Sequence, residues 1–248
     1  MINVSFQLYS ARNYQPFTDV IGMLAGLGYK QIEGFGPVFD DVPAIKSAMD
    51  KHAVTMPSAH FVVQSLQAEK AKVLATARAL NVQILVAPHL LPDERPNDKA
   101  GWIAFGTVLE GLAQDYAKDG FSLAWHNHDF EFCALPDGSI PQDLIFEAAP
   151  TLKWEIDIAW IVKGKADPLA WIRKYGNRIA VVHLKDIAPA GQCADEDGWA
   201  DLGHGVIDWA PVMAALKTTP AAIYAVEHDN PNDLNRFASR SLAAVRSF

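Results

Sequence analysis

The chain has 248 residues, of which 50% are hydrophobic and 20% are charged, so it can fill a large core. The formal net charge of −8 argues against general binding to nucleic acid or to a membrane surface. The two cysteines, Cys133 and Cys193, have no CxxC or zinc-type spacing, and we expect reduced structural thiols. The first residues, "MINVSFQLYS", do not resemble a signal peptide, and no apolar run approaches about 18 residues. These features predict a cytoplasmic protein with no nucleic-acid or membrane partner.

Short strand-like runs alternate with longer helical patterns along the chain. The predicted strands are residues 2–10, 29–35, 55–61, 82–90, 121–128, 152–160, 179–187 and 222–230. The predicted helices are 17–28, 42–52, 63–80, 98–118, 141–149, 167–176, 208–217 and the last segment. Gly28 is placed to end the first helix, and Asp167 with Pro168 to begin the sixth.

Eight such units without a composition break predict a single domain over residues 1–248, an α/β fold of the (β/α)8 TIM-barrel type. Runs such as "ILVA", "IAVV" and "IYAV" are apolar on both faces, as buried parallel strands are. The alternative is an open, doubly wound sheet. It is disfavoured because "LYSARNYQPF" after the first strand contains no G-x-G-x-x-G loop.

Nearly every predicted strand ends in ionisable or ligand-type side chains. These are Glu33, His60, His89, His126, Asn127, His128, Asp157, His183, Lys185, Asp186, Glu227, His228 and Asp229. The carboxyl ends of barrel strands meet at one mouth, where the active sites of such barrels lie. The pattern therefore predicts a functional site at this mouth.

Alternation along the strands indicates which side chains point inward. Residues two apart share a face, so His183 and Lys185 face the same way, and Glu155 lies beneath Asp157. A buried Glu155 needs a partner, because an unpaired interior charge costs several kcal/mol. The mixture of carboxylates and imidazoles from successive strands suits a divalent metal: Mn²⁺, Co²⁺, Zn²⁺ or Mg²⁺.

Five segments carry a resemblance to a known family: "FQLYSAR", "HNHDFEF", "WEIDIAWIVKGKADPLAWIRKYGNRIAVVHLKD", "DLGHGVIDW" and "YAVEHDNP". They resemble the xylose isomerase-like TIM-barrel superfamily, the sugar phosphate isomerase/epimerase group that also includes endonuclease IV-type proteins. The resemblance implies that Asp157, His183 and Glu227 bind a divalent metal. Many members have Glu-Asn where this chain has His126-Asn127. Either His126 replaces that glutamate, or Glu131 reaches back from the loop; we prefer Glu131 because it preserves the charge.

The resemblance implies a metal-dependent sugar isomerase or epimerase that abstracts a proton next to the carbonyl of a keto-sugar or sugar derivative. Glu227 is the expected base, Glu131 or His126 the second acid/base group, and Lys185 the stabiliser of the oxyanion. The side chains expected to bind a carbohydrate substrate are His60, His89, His126, His128 and Trp160. No phosphate loop is evident, so the substrate is not restricted to sugar phosphates.

Three other functions are weighed against this one. A metal-dependent dehydratase or hydratase, that is, a lyase acting on a keto-inositol or a 3-keto-glycoside, would use the same proton abstraction. The net charge disfavours an endonuclease IV-like DNA-repair enzyme. The intact set Asp157, His183 and Glu227 disfavours a non-catalytic sugar-binding barrel. The long segment 188–207 is expected to cover the mouth, and a homo-oligomer is left open.

Overall fold

Eight parallel strands form the barrel. The computed structural model describes residues 3–248, and the barrel strands are β1 (Val4–Phe6), β2 (Gln31–Gly34), β3 (Thr55–His60), β4 (Ile84–Ala87), β5 (Ser122–His126), β6 (Lys153–Asp157), β7 (Ile179–Leu184) and β8 (Ile223–Val226). Neighbouring strands pair in the order β1-β8-β7-β6-β5-β4-β3-β2. A parallel bridge between Gln7 and Glu33 joins the two ends of this order. The predicted (β/α)8 fold is confirmed.

Helices surround the strands. They are α1 (Phe17–Leu27), α2 (Val42–His52), α3 (Val63–Ala68), α4 (Lys70–Ala79), α5 (Lys99–Ala117), α6 (Pro141–Ala148), α7 (Ile158–Lys163), α8 (Pro168–Tyr175), α9 (Trp209–Leu216) and α10 (Leu234–Ser247). The predicted ends of two helices are confirmed. Gly28 ends α1 with a φ of 109°, and the Asp167 carboxylate accepts the Leu169 N–H at the start of α8. No helix among residues 3–248 is long and apolar enough to cross a membrane.

The structure differs from the sequence prediction at several element boundaries. The predicted first strand spans only Val4–Phe6, and residue 2 lies outside the described residues. The predicted helix 63–80 is interrupted at Glu69, which has a non-helical ψ of 33°. The sixth strand ends at Asp157 because the Asp157 carboxylate accepts the Trp160 N–H and begins α7 at once.

The segment after β7 is fastened to the barrel. The Asp186 carboxylate accepts hydrogen bonds from four backbone N–H groups, one of which is that of Gly203 at 3.0 Å. It also accepts a hydrogen bond from Nε1 of Trp209 at 3.0 Å. Arg236 of α10 donates to Asp201 at 3.0 Å. Within the segment, Trp199–Ala200 pairs with Asp186–Ile187 as a small antiparallel ribbon. One carboxylate therefore fixes the course of this long connection.

The barrel interior changes character toward the carboxyl ends of the strands. Apolar side chains such as Phe6, Ile156 and Leu184 fill the layer between strands and helices. Inside the mouth, charged and polar side chains are completely buried. This buried polar set includes Gln7, Glu33, Ser58, Glu155, Asp157 and His183. Buried polar groups on this scale are stable only when they are partnered, so their contacts define the site.

Candidate metal centre and active site

Four residues at the ends of β5, β6, β7 and β8 bring metal-ligand atoms together. We name His126, Asp157, His183 and Glu227 the outer group. One ligand atom from each lies within 4.8 Å of the others, and all four residues are buried. Nδ1 of His183 lies 3.1 Å from Oε2 of Glu227. Two carboxylates and two imidazoles thus converge at the mouth.

The outer group fits a divalent metal ion. Oδ1 of Asp157 accepts the Trp160 N–H at 2.9 Å, but its Oδ2 is buried without a hydrogen-bond partner among residues 3–248. Burial raises the pKa of Asp157 to about 7. A cation beside Oδ2 would remove the cost of this unpaired atom. The mixed nitrogen and oxygen donors are of the type that Zn²⁺, Mn²⁺ and related ions accept.

A second set of ligand-type residues lies one layer deeper in the barrel. We name His60, His126, Glu155 and His183 the inner group. A single oxygen, Oε1 of Glu155, lies 2.7 Å from Nε2 of His60, 3.0 Å from Nδ1 of His126 and 3.1 Å from Nε2 of His183. These three imidazoles are the partners that the sequence alone did not name for Glu155.

Within the inner group, Glu155 and His60 stabilise each other's charges. Burial alone would raise the pKa of Glu155, but His183 and His60 hold it well below its ordinary value. Burial alone would lower the pKa of His60, but the carboxylates of Glu155 and Glu33 raise it to about 9. Glu155 is therefore ionised and His60 is protonated at neutral pH. The pair carries its opposite charges inside the barrel.

Glu33 completes this layer from β2. Its Oε1 lies 2.6 Å from Nε2 of His183 and accepts a hydrogen bond from Gln7 at 2.8 Å, and its Oε2 accepts one from Ser58. The sequence placed Glu33 at a strand end but gave no role to Gln7 or Ser58. Their positions on neighbouring inward faces were the available signal, since Gln7 directly follows β1 and Ser58 lies within β3.

The inner group supports the histidines of the outer group. Nδ1 of His183 faces Glu227, while its Nε2 faces Glu33 and Glu155. His126 likewise has one ring nitrogen, Nδ1, beside Glu155. Histidines that bind metals usually donate their second ring N–H to a carboxylate, which fixes the tautomer and the ring orientation. His183 has this relation to Glu33, whereas Nδ1 of His126 lies 3.0 Å from Glu155 without a hydrogen bond.

Lys185 lies at the mouth beside the outer group. Its Nζ donates to Asp229 and lies 3.4 Å from Oε2 of Glu227. The ammonium also lies over the rings of Trp160, at 4.9 Å, and Trp199, at 4.2 Å. Although burial lowers the pKa of Lys185, the carboxylates of Asp229 and Glu227 raise it above its ordinary value. Lys185 is therefore a fixed positive charge.

The structure does not bring Glu131 into either group. Its Oε2 accepts the His128 N–H at 2.9 Å, and its Oε1 is buried without a partner in the described part of the chain. Burial raises the pKa of Glu131 to about 8. The carboxyl group therefore bonds to the loop that carries it and supports the turn that follows β5.

Asn127, between the two histidines of the "HNH" stretch, also supports the backbone. Its side chain accepts the Asp157 N–H and donates to the Asp157 carbonyl, both at 3.0 Å. Its Oδ1 also accepts Nε1 of Trp154 at 2.8 Å. Alternation along the strand turns Asn127 away from the mouth and fixes β5 against β6.

A cavity of about 560 Å³ opens over the outer group. On the side of the outer group its lining consists of Tyr9, His60, His89, His126, His128, Trp160, Lys185, Glu227 and Asp229. All five residues expected to contact substrate are in this set. No residue of 188–207 lines the cavity, so the expectation that this segment covers the mouth is wrong. Asp186 and Arg236 hold the segment to one side.

Comparison with known proteins identifies the family. The sequence matches the xylose isomerase-like TIM barrel family over residues 21–247. The chain belongs to this family. No curated protein matches it. The family resemblance expected from the sequence is confirmed.

Solved structures share the fold at low sequence identity. A sugar phosphate isomerase/epimerase from Parabacteroides distasonis ATCC 8503 is 19% identical with a TM-score of 0.82, and the match covers 98% of this chain and 93% of that one. The IolI protein with a bound zinc atom is 15% identical, with a TM-score of 0.80 and coverage of 99% and 97%. The 3-keto-D-glucoside 4-epimerase YcjR from E. coli is 15% identical, with a TM-score of 0.72 and coverage of 100% of both chains.

Proposed function

We propose that this protein is a divalent-metal-dependent enzyme that isomerises or epimerises a keto-sugar or sugar derivative by removing a proton next to a carbonyl. The observation that carries the proposal is the outer group, with the unpaired Oδ2 of Asp157, at a cavity that also contains the charged Lys185. Solved structures of similar fold described as a sugar phosphate isomerase/epimerase and a keto-glucoside epimerase support this chemistry.

His126, Asp157, His183 and Glu227 would hold the metal ion. This assignment replaces Glu131 by His126 as the ligand from β5, because His126 lies in the outer group and Glu131 does not. When bound, the divalent ion supplies positive charge to the substrate oxygens next to the carbon that loses its proton. The inner group would keep the two imidazoles in the correct tautomer and orientation.

The side chains at the mouth would perform the proton transfer. Glu227 lines the cavity and would accept the proton from the carbon next to the carbonyl and, in an isomerisation, return it to the carbonyl carbon. Lys185, 3.4 Å from Glu227, would stabilise the negative charge that develops on the substrate oxygen. Burial lowers the pKa of His128 well below its ordinary value, so this residue presents a neutral imidazole to substrate hydroxyl groups. Trp160, whose ring lies 5.0 Å from that of His128, would form the wall beside the sugar.

Solvent deuterium exchange tests the proposal. Metal-loaded protein is incubated in D₂O with a panel of keto-sugars, and loss of the proton next to the carbonyl is followed by NMR. We expect exchange with the parent protein and with Glu147→Gln, which changes an exposed glutamate on α6. The variant Glu227→Gln should not catalyse it. A protein that neither binds a divalent metal nor exchanges any substrate proton would refute the proposal.

A further inference from the structure

The cavity extends beyond the metal ligands into a second half with different chemistry. We name this half the aromatic annex and define it by Phe35, Pro37, Phe39, Phe61, Val62 and Val73. Its residues come from the segments that follow β2 and β3 and from α4, whereas the outer group comes from β5 to β8. Phe61 directly follows His60 of the inner group. The annex therefore continues the active-site cavity and is not a separate pocket.

The annex is built from ordered aromatic contacts. The rings of Phe39 and Phe61 stack with centroids 4.8 Å apart and an interplanar angle of 12°. Gly34 makes room for this arrangement, because a Cβ there would lie 3.0 Å from a ring carbon of Phe39 and 2.7 Å from the sulfur of Met56. At the rim, Val62 keeps 43% of its surface exposed. Proton transfer at the outer group requires none of these apolar surfaces.

The charges that line the whole cavity disfavour an anionic ligand. The acidic lining residues are Asp40, Glu69, Glu227 and Asp229. The cationic lining residues are Lys72, Lys185 and the protonated His60, of which Lys185 is paired with Asp229 and His60 with Glu155. A phosphate would therefore meet more carboxylates than free ammonium groups. A neutral apolar group would instead bury surface against the phenylalanines.

The cavity size is consistent with a substrate of two parts. Pockets that bury most of a drug-sized ligand measure about 300–1,000 Å³, and this cavity of about 560 Å³ lies within that range. One end presents metal ligands, histidines and Trp160, which suit a sugar. The other end is lined by apolar side chains, of which Pro37 and Val62 are exposed and Phe39 is half-buried, and these suit an apolar group.

We propose that the substrate is a keto-sugar joined to an aromatic group, and that the aromatic annex binds this group. The claim that the substrate contains a keto-sugar rests on the proposed function. The preference for an aryl substituent rests on the annex alone and is measured by binding without turnover. Such a substrate is the product of an oxidation of an aryl glycoside at one of the sugar hydroxyl groups.

Equilibrium binding to the metal-loaded protein tests the proposal with three probes: 4-nitrophenyl β-D-glucopyranoside, methyl β-D-glucopyranoside and glucose 6-phosphate. We expect the nitrophenyl glycoside to bind at least about tenfold more tightly than the other two, because the ring buries apolar surface in the annex. Saturation-transfer NMR should give the strongest signals on its ring protons. Equal binding of the two glycosides, or tightest binding of the phosphate, would overturn the proposal.

A matched pair of variants locates the binding site. Val62→Asp places a charge at the rim of the annex, and Leu91→Asp places one on a similarly exposed apolar residue that does not line the cavity. Val62→Asp should weaken nitrophenyl binding about tenfold and leave methyl glycoside binding unchanged, and Leu91→Asp should change neither. An equal loss of nitrophenyl glycoside binding in both variants would contradict the assignment. A dimeric parent protein that only Val62→Asp dissociates would also contradict it, because Val62 would then lie in a dimer interface.

The two proposals can fail separately. Preference for the nitrophenyl glycoside without deuterium exchange into any aryl or alkyl keto-glycoside would support the annex and refute the proposed proton abstraction. Exchange into keto-sugars without any aryl preference would support the proposed function and refute the annex.

Discussion

The buried carboxyl group of Glu131 allows a sharp prediction. Its Oε1 has no partner among the described residues, and burial raises its pKa to about 8 from an ordinary 4.5. The pKa of Glu131 is higher in the folded than in the unfolded chain, so the folded state is favoured most below pH 4.5, where the group is protonated in both states. This contribution to the free energy of unfolding is lost as the pH rises to about 8. We therefore predict that Glu131→Gln stabilises the protein at neutral pH, since the amide oxygen still accepts the His128 N–H and carries no charge.

The expected size of the effect follows from the linkage between pKa and stability. Each pH unit between the two pKa values changes the free energy of unfolding by about 1.4 kcal/mol. From pH 4.5 to pH 7 the penalty for Glu131 therefore reaches about 3 kcal/mol, and at pH 5 it is less than about 1 kcal/mol. For a chain of this size, about 3 kcal/mol corresponds to a change in Tm of about 6–12 °C.

Thermal unfolding of metal-free protein at pH 5 and pH 7 measures this difference. Glu131→Gln should have a higher Tm than the parent at pH 7 and nearly the same Tm at pH 5. Glu147→Gln, an exposed change of the same type, should match the parent at both values. A lower Tm of Glu131→Gln at pH 7 would refute the reasoning. Loss of bound metal from a folded Glu131→Gln would show instead that Glu131 is the ligand.

Three further predictions concern the metal centre. His126→Ala should lose bound metal, as measured by elemental analysis, whereas His128→Ala should retain it; the reverse result would exclude His126 as a ligand. Glu155→Gln should weaken metal binding about 10–100-fold in a chelator competition, because Glu155 contacts the imidazoles of two ligands; unchanged affinity would contradict this role. Lys185→Met should retain metal but slow deuterium exchange about 10²–10³-fold, and an unchanged rate would remove Lys185 from the chemistry.

The sequence predicted the fold and the convergence of Asp157, His183 and Glu227 because both follow from periodicity. Parallel strands bring their last residues to one mouth, and alternation decides which of these residues face inward. His126 is the last residue of β5, so the same rule places it inward. Glu131 lies beyond a turn in the short helix Phe130–Phe132, where no periodic rule fixes the direction of a side chain. The expectation that a glutamate is preferred as ligand therefore could not show which way the Glu131 side chain points.

Other features of the site depend on contacts between distant segments. Gln7, which follows β1, and Ser58 of β3 both donate to Glu33 of β2; their inward-facing positions could be predicted from the sequence, but these two hydrogen bonds could not. The stacking of Phe39 on Phe61 likewise depends on how two connecting segments pack. Apolar residues after a strand are more often core than ligand surface, and only the cavity distinguishes these two roles here.

The contact between the two layers explains how an imidazole is accommodated on β5, where the family resemblance implies a glutamate. Glu155 lies 3.0 Å from Nδ1 of His126, so its charge raises the pKa of the imidazole that we propose as a ligand, although burial and His183 lower this pKa overall. A glutamate in the place of His126 would put two carboxylates side by side in a buried site, where like charges repel. His126→Glu alone should therefore lower the Tm of the metal-free protein.

A double-mutant cycle tests this coupling. Adding Glu155→Gln to His126→Glu should restore much of the lost stability and of the metal affinity, although each change alone weakens metal binding. We expect an interaction free energy of about 1–3 kcal/mol between the two positions, because they are in direct contact. Parent, single and double variants are compared by thermal unfolding and chelator competition. Additive effects would show that the two layers act independently and that Glu155 does not compensate for the imidazole on β5.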